Sequence, residues 1–182
     1  GTVGHGLSSA PELIISHSRD TTGYWNVGFS GIGFSNYLSL NETDQAFASG
    51  TPFSSTSPSS STVTLGSYSQ TNSGNMVMYC FHSVTGVQKI GSYSSSSGTI
   101  TVDVGFPPRF VMVKSIGQAG NWLVVDSLRG GSSGQDRERH FFNSMAASSS
   151  DSSVDFTGNT FTITSGSVGN QGSQSYLYWA IA

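Results

Sequence analysis

The stretch "GNWLVVDS", Gly120–Ser127, sets one of three tryptophans ahead of a short apolar run that closes on an acid. Trp122 is open to three uses: a stacking platform for a sugar, an anchor for a partner, or a core residue. A second stretch helps to choose between them. "GYWNVGFS", Gly23–Ser30, stands 97 residues earlier with Trp25 in the same place. Both belong to longer segments that align without gaps, residues 1–30 over residues 98–127. Identities fall at Gly1/Gly98, Thr2/Thr99, Pro11/Pro108, Ser18/Ser115, Gly23/Gly120, Trp25/Trp122, Val27/Val124 and Ser30/Ser127. Further along, "YLSLN" (37–41) echoes "RHFFN" (139–143) and "TVTL" (62–65) echoes "TFTI" (160–163). "MVMYCFHS" (76–83) echoes "SYLYWAIA" (175–182), with Tyr79 set over Tyr178. Internal self-similarity of this kind outranks any single motif. It divides the chain into pseudo-repeat one (1–85), a connector (86–97) and pseudo-repeat two (98–182). A tryptophan kept in both copies while the polar residues around it differ points to a shared core position.

The local patterns are those of strands. "TVTL" and "TFTIT" alternate Thr with apolar residues, the period-two signal of a half-buried strand. "LII" and "FVMV" are unbroken apolar runs, which suit strands buried on both faces. Pro11 and Pro108 stand just ahead of those runs, where a missing N–H is tolerated. The Ser- and Gly-rich join "GVQKIGSYSSSSG" (86–98) reads as a connector. "QDRERHFFNSMAA" (135–147) reads as a loop entering a strand. Each copy then carries about six strands. The fold class is all-β, a β-sandwich built from two pseudo-repeats. A single sandwich domain spanning 1–182 is expected, because a six-stranded unit alone leaves apolar strands uncovered.

Composition agrees. Charged residues make up 9% against about 25% in an average domain, while aromatics reach 12% and Gly numbers 23. The 7 Lys and Arg form no stripe and the net charge is −3, which disfavours nucleic acid and anionic membrane as partners. No apolar run approaches the ~20 residues of a membrane helix. No signal peptide is visible, and the start at Gly1 suits a fragment of a longer protein. Cys80 stands alone, so no internal disulfide or cysteine metal cluster can form.

In order, "HGLSSAPELIISHSRD", "YWNVGFS", "GFPPRFVMVKS", "GNWLVVDSLRGG", "VDFTGNTFTI" and "YLYWAIA", with the linker "QKIGSYSSSSGT", resemble a tandem-repeat domain of unknown function. That domain occurs in tail fibres and virion surface proteins of marine and cyanobacterial phages. The resemblance covers essentially the whole chain and implies a concanavalin-, SPRY- or jelly-roll-like sandwich. It also implies a virion surface role and, since fibres are trimers, a homotrimer. It carries no catalytic residues. His17 departs from the Lys usual in relatives, which Lys114 keeps, and the segment 41–60 is longer than its partner in the second copy.

The candidate chemistries are each weighed against a plain structural role. "GGSSG" (130–134) matches the nucleophile pattern at Ser132 with Asp126 and His140 nearby, but that motif works on a strand-to-helix turn in an α/β sheet. A flexible loop is the simpler reading. Asp151 and Asp155 lie four apart, and glycoside cleavage needs two acids about 5–9.5 Å apart across a sugar. Nothing in a strand-loop context sets them face to face. His5, His17, His82 and His140 show no metal-ligand spacing, and "NETD" (41–44) makes a poor calcium loop. No metal and no cofactor is expected. Arg137, Arg139 and His140 in the charge cluster "QDRERH" are the candidate binding residues, for an anionic glycan or a neighbouring protomer, against a solvated loop. Phe53, Tyr68 and Tyr93 are open to sugar stacking or to packing.

The expected function is non-enzymatic: a tail-fibre or adhesin module of a virion that binds the host surface through loops. The expected partners are other virion proteins, copies of itself and a host glycan. The alternatives are a capsid or tail decoration protein and a polysaccharide depolymerase. The loops from Arg129 onward are the expected binding surface.

Overall fold

A computed structural model describes residues 1–130 and 137–182, and their regular structure is almost entirely antiparallel β. The chain divides into two compact units, Gly1–His82 and Ser83–Ala182. The first holds β1 (Thr2–Gly4), β2 (Leu13–Ser18), β3 (Asn26–Phe29), β4 (Leu38–Ser39), β5 (Thr62–Thr64) and β6 (Met76–Phe81). Its sheets run β4-β3-β2-β6 and β1-β5. The second holds β7 (Gln88–Ser94), β8 (Ile100–Asp103), β9 (Phe110–Ser115), β10 (Leu123–Gly130), β11 (Arg137–Phe141), β12 (Ser149–Asp151), β13 (Val154–Thr157), β14 (Thr160–Ile163) and β15 (Ser175–Ile181). Its sheets run β12-β11-β10-β9-β15-β7 and β13-β14-β8.

The strand order β4-β3-β2-β6 recurs as β11-β10-β9-β15, and β1-β5 recurs as β8-β14. The register recurs as well. Ile14 faces Gly28 across β2–β3 and Val111 faces Val125 across β9–β10. The last strands correct the sequence alignment by one residue. Ile15 pairs with Tyr79 and Met112 pairs with Trp179, so Tyr79 matches Trp179 and not Tyr178. A one-residue slip moves a side chain to the other face of its sheet. Tyr79 is accordingly 47% exposed, and Tyr178 is 4% exposed.

Apolar runs become central strands. Leu13, Ile14 and Ile15 on β2 are buried on both faces, as are Val111, Met112 and Val113 on β9. Each such side chain contributes ~1.5–3 kcal/mol on leaving water. The first unit encloses Ile14, Phe34, Phe53, Val63 and Leu65. The second encloses a larger aromatic core that includes Phe106, Leu123, Val125, Phe161, Tyr176 and Tyr178.

One segment expected as a connector is a strand. The connector 86–97 contains β7, which pairs along its whole length with β15. Alternation puts Lys89, Gly91 and Tyr93 on one face, and Tyr93 packs onto the core. Composition hid this, because the small residues are needed for close approach. A Cβ on Gly91 would lie 2.6 Å from the Tyr178 hydroxyl. The long segment 41–60 folds back on itself. Phe53 is fully buried, edge-on to Phe34 at 6.0 Å, so it is a core residue and not a sugar platform. Its two successors, Ser54 and Ser55, take left-handed φ values of 54° and 50°. Such strain persists only where the surroundings hold it.

Candidate functional site

β11 carries the three basic candidates, and its alternation separates them. Arg137 and Arg139 share one face with Phe141, which packs against the second unit's core. His140 lies on the other face, paired with Val124 across β10–β11. Arg137 is already engaged. Its Nη1 donates to the Ser127 carbonyl (3.1 Å), its Nη2 donates to Asp155 Oδ1 (3.5 Å), and its guanidinium sits over the Phe156 ring at 5.6 Å. Arg139 Nε donates to Ser149 Oγ (3.0 Å), with the guanidinium over Phe141 at 5.5 Å. Arg129 Nη1 donates to His140 Nε2. The three residues therefore do not converge on one anion site. They hold the β10–β11–β12 edge and its contact with β13.

The acids are also committed. Asp126 accepts the backbone N–H groups of Leu128 (3.0 Å) and Arg129 (2.8 Å) and pairs with Arg129 Nε at 2.5 Å. Burial alone would raise its carboxyl; those hydrogen bonds and the guanidinium outweigh that and hold it below the ordinary value. Arg129 binds Asp126 through one nitrogen and His140 through another, so a cation stands where a nucleophile triad needs an acid–imidazole bond. Ser132 and Asp136 lie outside the described residues, as does the side chain of Asp151. Asp155 faces Arg137. No group of three His, Cys, Asp or Glu among the described residues comes together as a metal site.

The paired tryptophans differ between the two units. Trp122 is fully buried, a core residue. Its backbone N–H donates to Asn143 Oδ1 at 2.8 Å, and the buried Lys114 reaches over its ring at 6.0 Å while donating to the Gly120 carbonyl (2.6 Å). Trp25 is half-buried. Its backbone N–H donates to Asn41 Oδ1 at 2.9 Å, and His17 stacks on its ring at 4.4 Å with the planes 7° apart. The sequence signal for the two asparagines was their common place at the end of the echoing segments "YLSLN" and "RHFFN".

A different feature concentrates on the first unit: an aromatic shelf. Tyr37, which also packs against the first unit's core, stacks on Phe47 at 5.0 Å with planes 24° apart, and Tyr68 lies 6.3 Å from Tyr37 with its ring tilted by 43°. The Tyr37–Phe47 bridge is backbone-paired, Tyr37 N–H to the Phe47 carbonyl at 3.1 Å and Phe47 N–H back at 2.8 Å. Tyr24, 38% exposed, stands close enough to act electrostatically on both tyrosines. Its backbone is held by Gln70 Oε1 at 3.0 Å. Partial burial, then the neighbouring phenols, push the Tyr37 and Tyr68 hydroxyls above their ordinary value, so both stay protonated donors well beyond neutral pH. Asp44 adds to this at Tyr37. Of the three aromatics singled out from sequence, Tyr68 belongs to the shelf. Tyr93 does not: its ring stacks on Tyr176 at 5.3 Å and its hydroxyl donates to the Gly169 carbonyl at 2.7 Å. Tyr24 and Tyr37 carried no sequence signal, because nothing in their spacing brings residues 24, 37, 47 and 68 together.

Neither a curated protein nor a solved structure matches this chain. A family model described as a domain of unknown function (DUF7483) matches residues 1–182, and the chain belongs to that family.

Proposed function

We propose that this member of the family is a non-catalytic binding module of a virion surface protein, a tail-fibre or adhesin domain that holds a neutral host-surface glycan. The observation that carries the glycan reading is the Tyr24–Tyr37–Phe47–Tyr68 shelf. Flat rings with protonated hydroxyls suit a sugar, which presents an apolar C–H face and a rim of hydroxyls. The side-chain amide of Asn41, bonded to the Gly23 carbonyl at 3.3 Å, and that of Gln70 lie beside it. The paired Tyr37–Phe47 backbone and the Gln70 hold on Tyr24 limit the entropy lost on binding. The virion role rests on the resemblance to phage fibre repeats, which also supports assembly with copies of itself and with other virion proteins.

Binding to a glycan array and to host cells tests the reading. Tyr24→Ala and Tyr37→Ala are each expected to weaken binding about tenfold, equivalent to ~1.4 kcal/mol, while Arg139→Ala leaves it nearly unchanged. No glycan and no cell bound by the wild-type chain would remove the adhesin reading and leave decoration of the virion. Reducing ends released from host polysaccharide would replace it with a depolymerase.

A further inference from the structure

The two units differ at one edge. In the second, β15 has a neighbour on each side, β9 and β7. In the first, the matching strand β6 pairs with β2 alone among the described residues. The Arg19 N–H donates to the Asn75 carbonyl (2.8 Å), which fixes the phase of the β2–β6 ladder. Val77, Tyr79 and Phe81 then turn their backbone groups toward β2, and Met76, Met78 and Cys80 turn theirs to the open edge. Those same three residues line a groove of about 560 Å³, walled also by Val3, His5, Leu65 and residues 71–74.

The second unit contains the object that fills the matching place. Tyr93 pairs with Tyr176, Gly91 with Tyr178 and Lys89 with Ala180. These partners correspond to Met76, Met78 and Cys80 through the shared β9/β2 register. The Tyr93 ring packs on Tyr176 and, edge-on at 6.3 Å, on Phe161. β7 lies four to ten residues ahead of Gly98, and Gly98 is the counterpart of Gly1. The first unit has slim, pliable methionines where the second has tyrosines, which leaves room for an entering ring.

We propose that the β6 edge is a strand-acceptor site. Its occupant is an antiparallel strand patterned like Gln88–Ser94, entering beside Gly1 as β7 enters beside Gly98, with an aromatic ring seated in the groove. Main-chain bonds to Met76, Met78 and Cys80 supply the affinity, and the ring supplies the register. The edge would then be sealed as β7 seals β15.

The test compares the 182-residue chain with the same chain carrying a copy of residues 88–97 directly ahead of Gly1. Hydrogen exchange at the Met76, Met78 and Cys80 amides is expected to slow at least tenfold in the extended chain. Alkylation of Cys80, whose thiol burial already pushes up to about 11, is expected to slow with it. Replacing the residue that matches Gly91 in the extension by proline should reverse both effects. Unchanged exchange at all three amides in the extended chain would overturn the proposal. So would concentration-dependent protection of these amides in the unextended chain, which would assign the edge to a second copy.

Discussion

The same framework holds His17 against Trp25 in the first unit and Lys114 against Trp122 in the second, with Asn41 and Asn143 gripping the two tryptophan N–H groups alike. The backbone solution is common to both, but the burial is not. Trp122 and Lys114 are sealed, and Lys114 Nζ spends a hydrogen bond on the Gly120 carbonyl. Trp25 and His17 are half-exposed beside the open loop Arg19–Gly23. Surface chemistry diverges further. Tyr37 and Arg139 occupy matching places in the echoing segments, yet one joins an aromatic shelf and the other a guanidinium–ring contact at a sheet edge. Shared register constrains the strands, and the chemistry at their ends is left free.

Tryptophan truncation probes this contrast most severely. Trp122→Ala should cost ~3–5 kcal/mol, the range for a buried aromatic, and Trp25→Ala about half that. Urea unfolding of both variants measures the gap, and equal losses would mean that the two tryptophans do the same work. The asparagine clamp comes next. Asn143→Ala should cost ~1–3 kcal/mol by stranding the Trp122 N–H away from water, whereas the more exposed Asn41→Ala should cost under ~1 kcal/mol because water can replace the lost acceptor. The smallest effect lies in acid. The Asn75 backbone N–H (2.6 Å), then the Asn75 side chain, hold the Asp20 carboxyl below its ordinary value of 3.8. A depressed carboxylate stabilises the fold in full above 3.8, and that contribution is lost as pH falls through the lower folded value. Melting temperatures of wild type and Asp20→Asn should therefore differ near neutral pH and converge in strong acid. A difference that persists there would assign the effect to packing.

Much of the fold was legible because strand formation follows local alternation. The runs around Leu13–Ile15 and Val111–Val113 and the Thr-alternating β5 and β14 follow from patterns a few residues long, and the burial of Trp122 was read from its recurrence in the two copies. The errors have physical causes as well. The Ser/Gly content of 86–97 signalled a loop, but Gly91 is small so that the Tyr178 ring can approach, and Tyr93 is a core residue. Phe53, open in the sequence to sugar stacking or to packing, packs in the first unit's core. Tyr79 and Tyr178 matched by identity, but pairing with β2 and β9 set the true equivalence one residue away.

The candidate sites were less legible. Charge density singled out Arg137, Arg139 and His140, and two-residue alternation split them between the faces of β11 while neighbouring groups engaged each one. The tyrosine shelf needs residues 24, 37, 47 and 68 together, and no local rule reports so distant a convergence. The all-β character and the strand runs were readable from the amino-acid order alone, since these depend on side-chain periodicity along a single segment. Which edge is open, which tryptophan is sealed and which charges are already paired became readable only in three dimensions, because those properties belong to pairs of segments, and the free energy of a pair depends on where the other member lies.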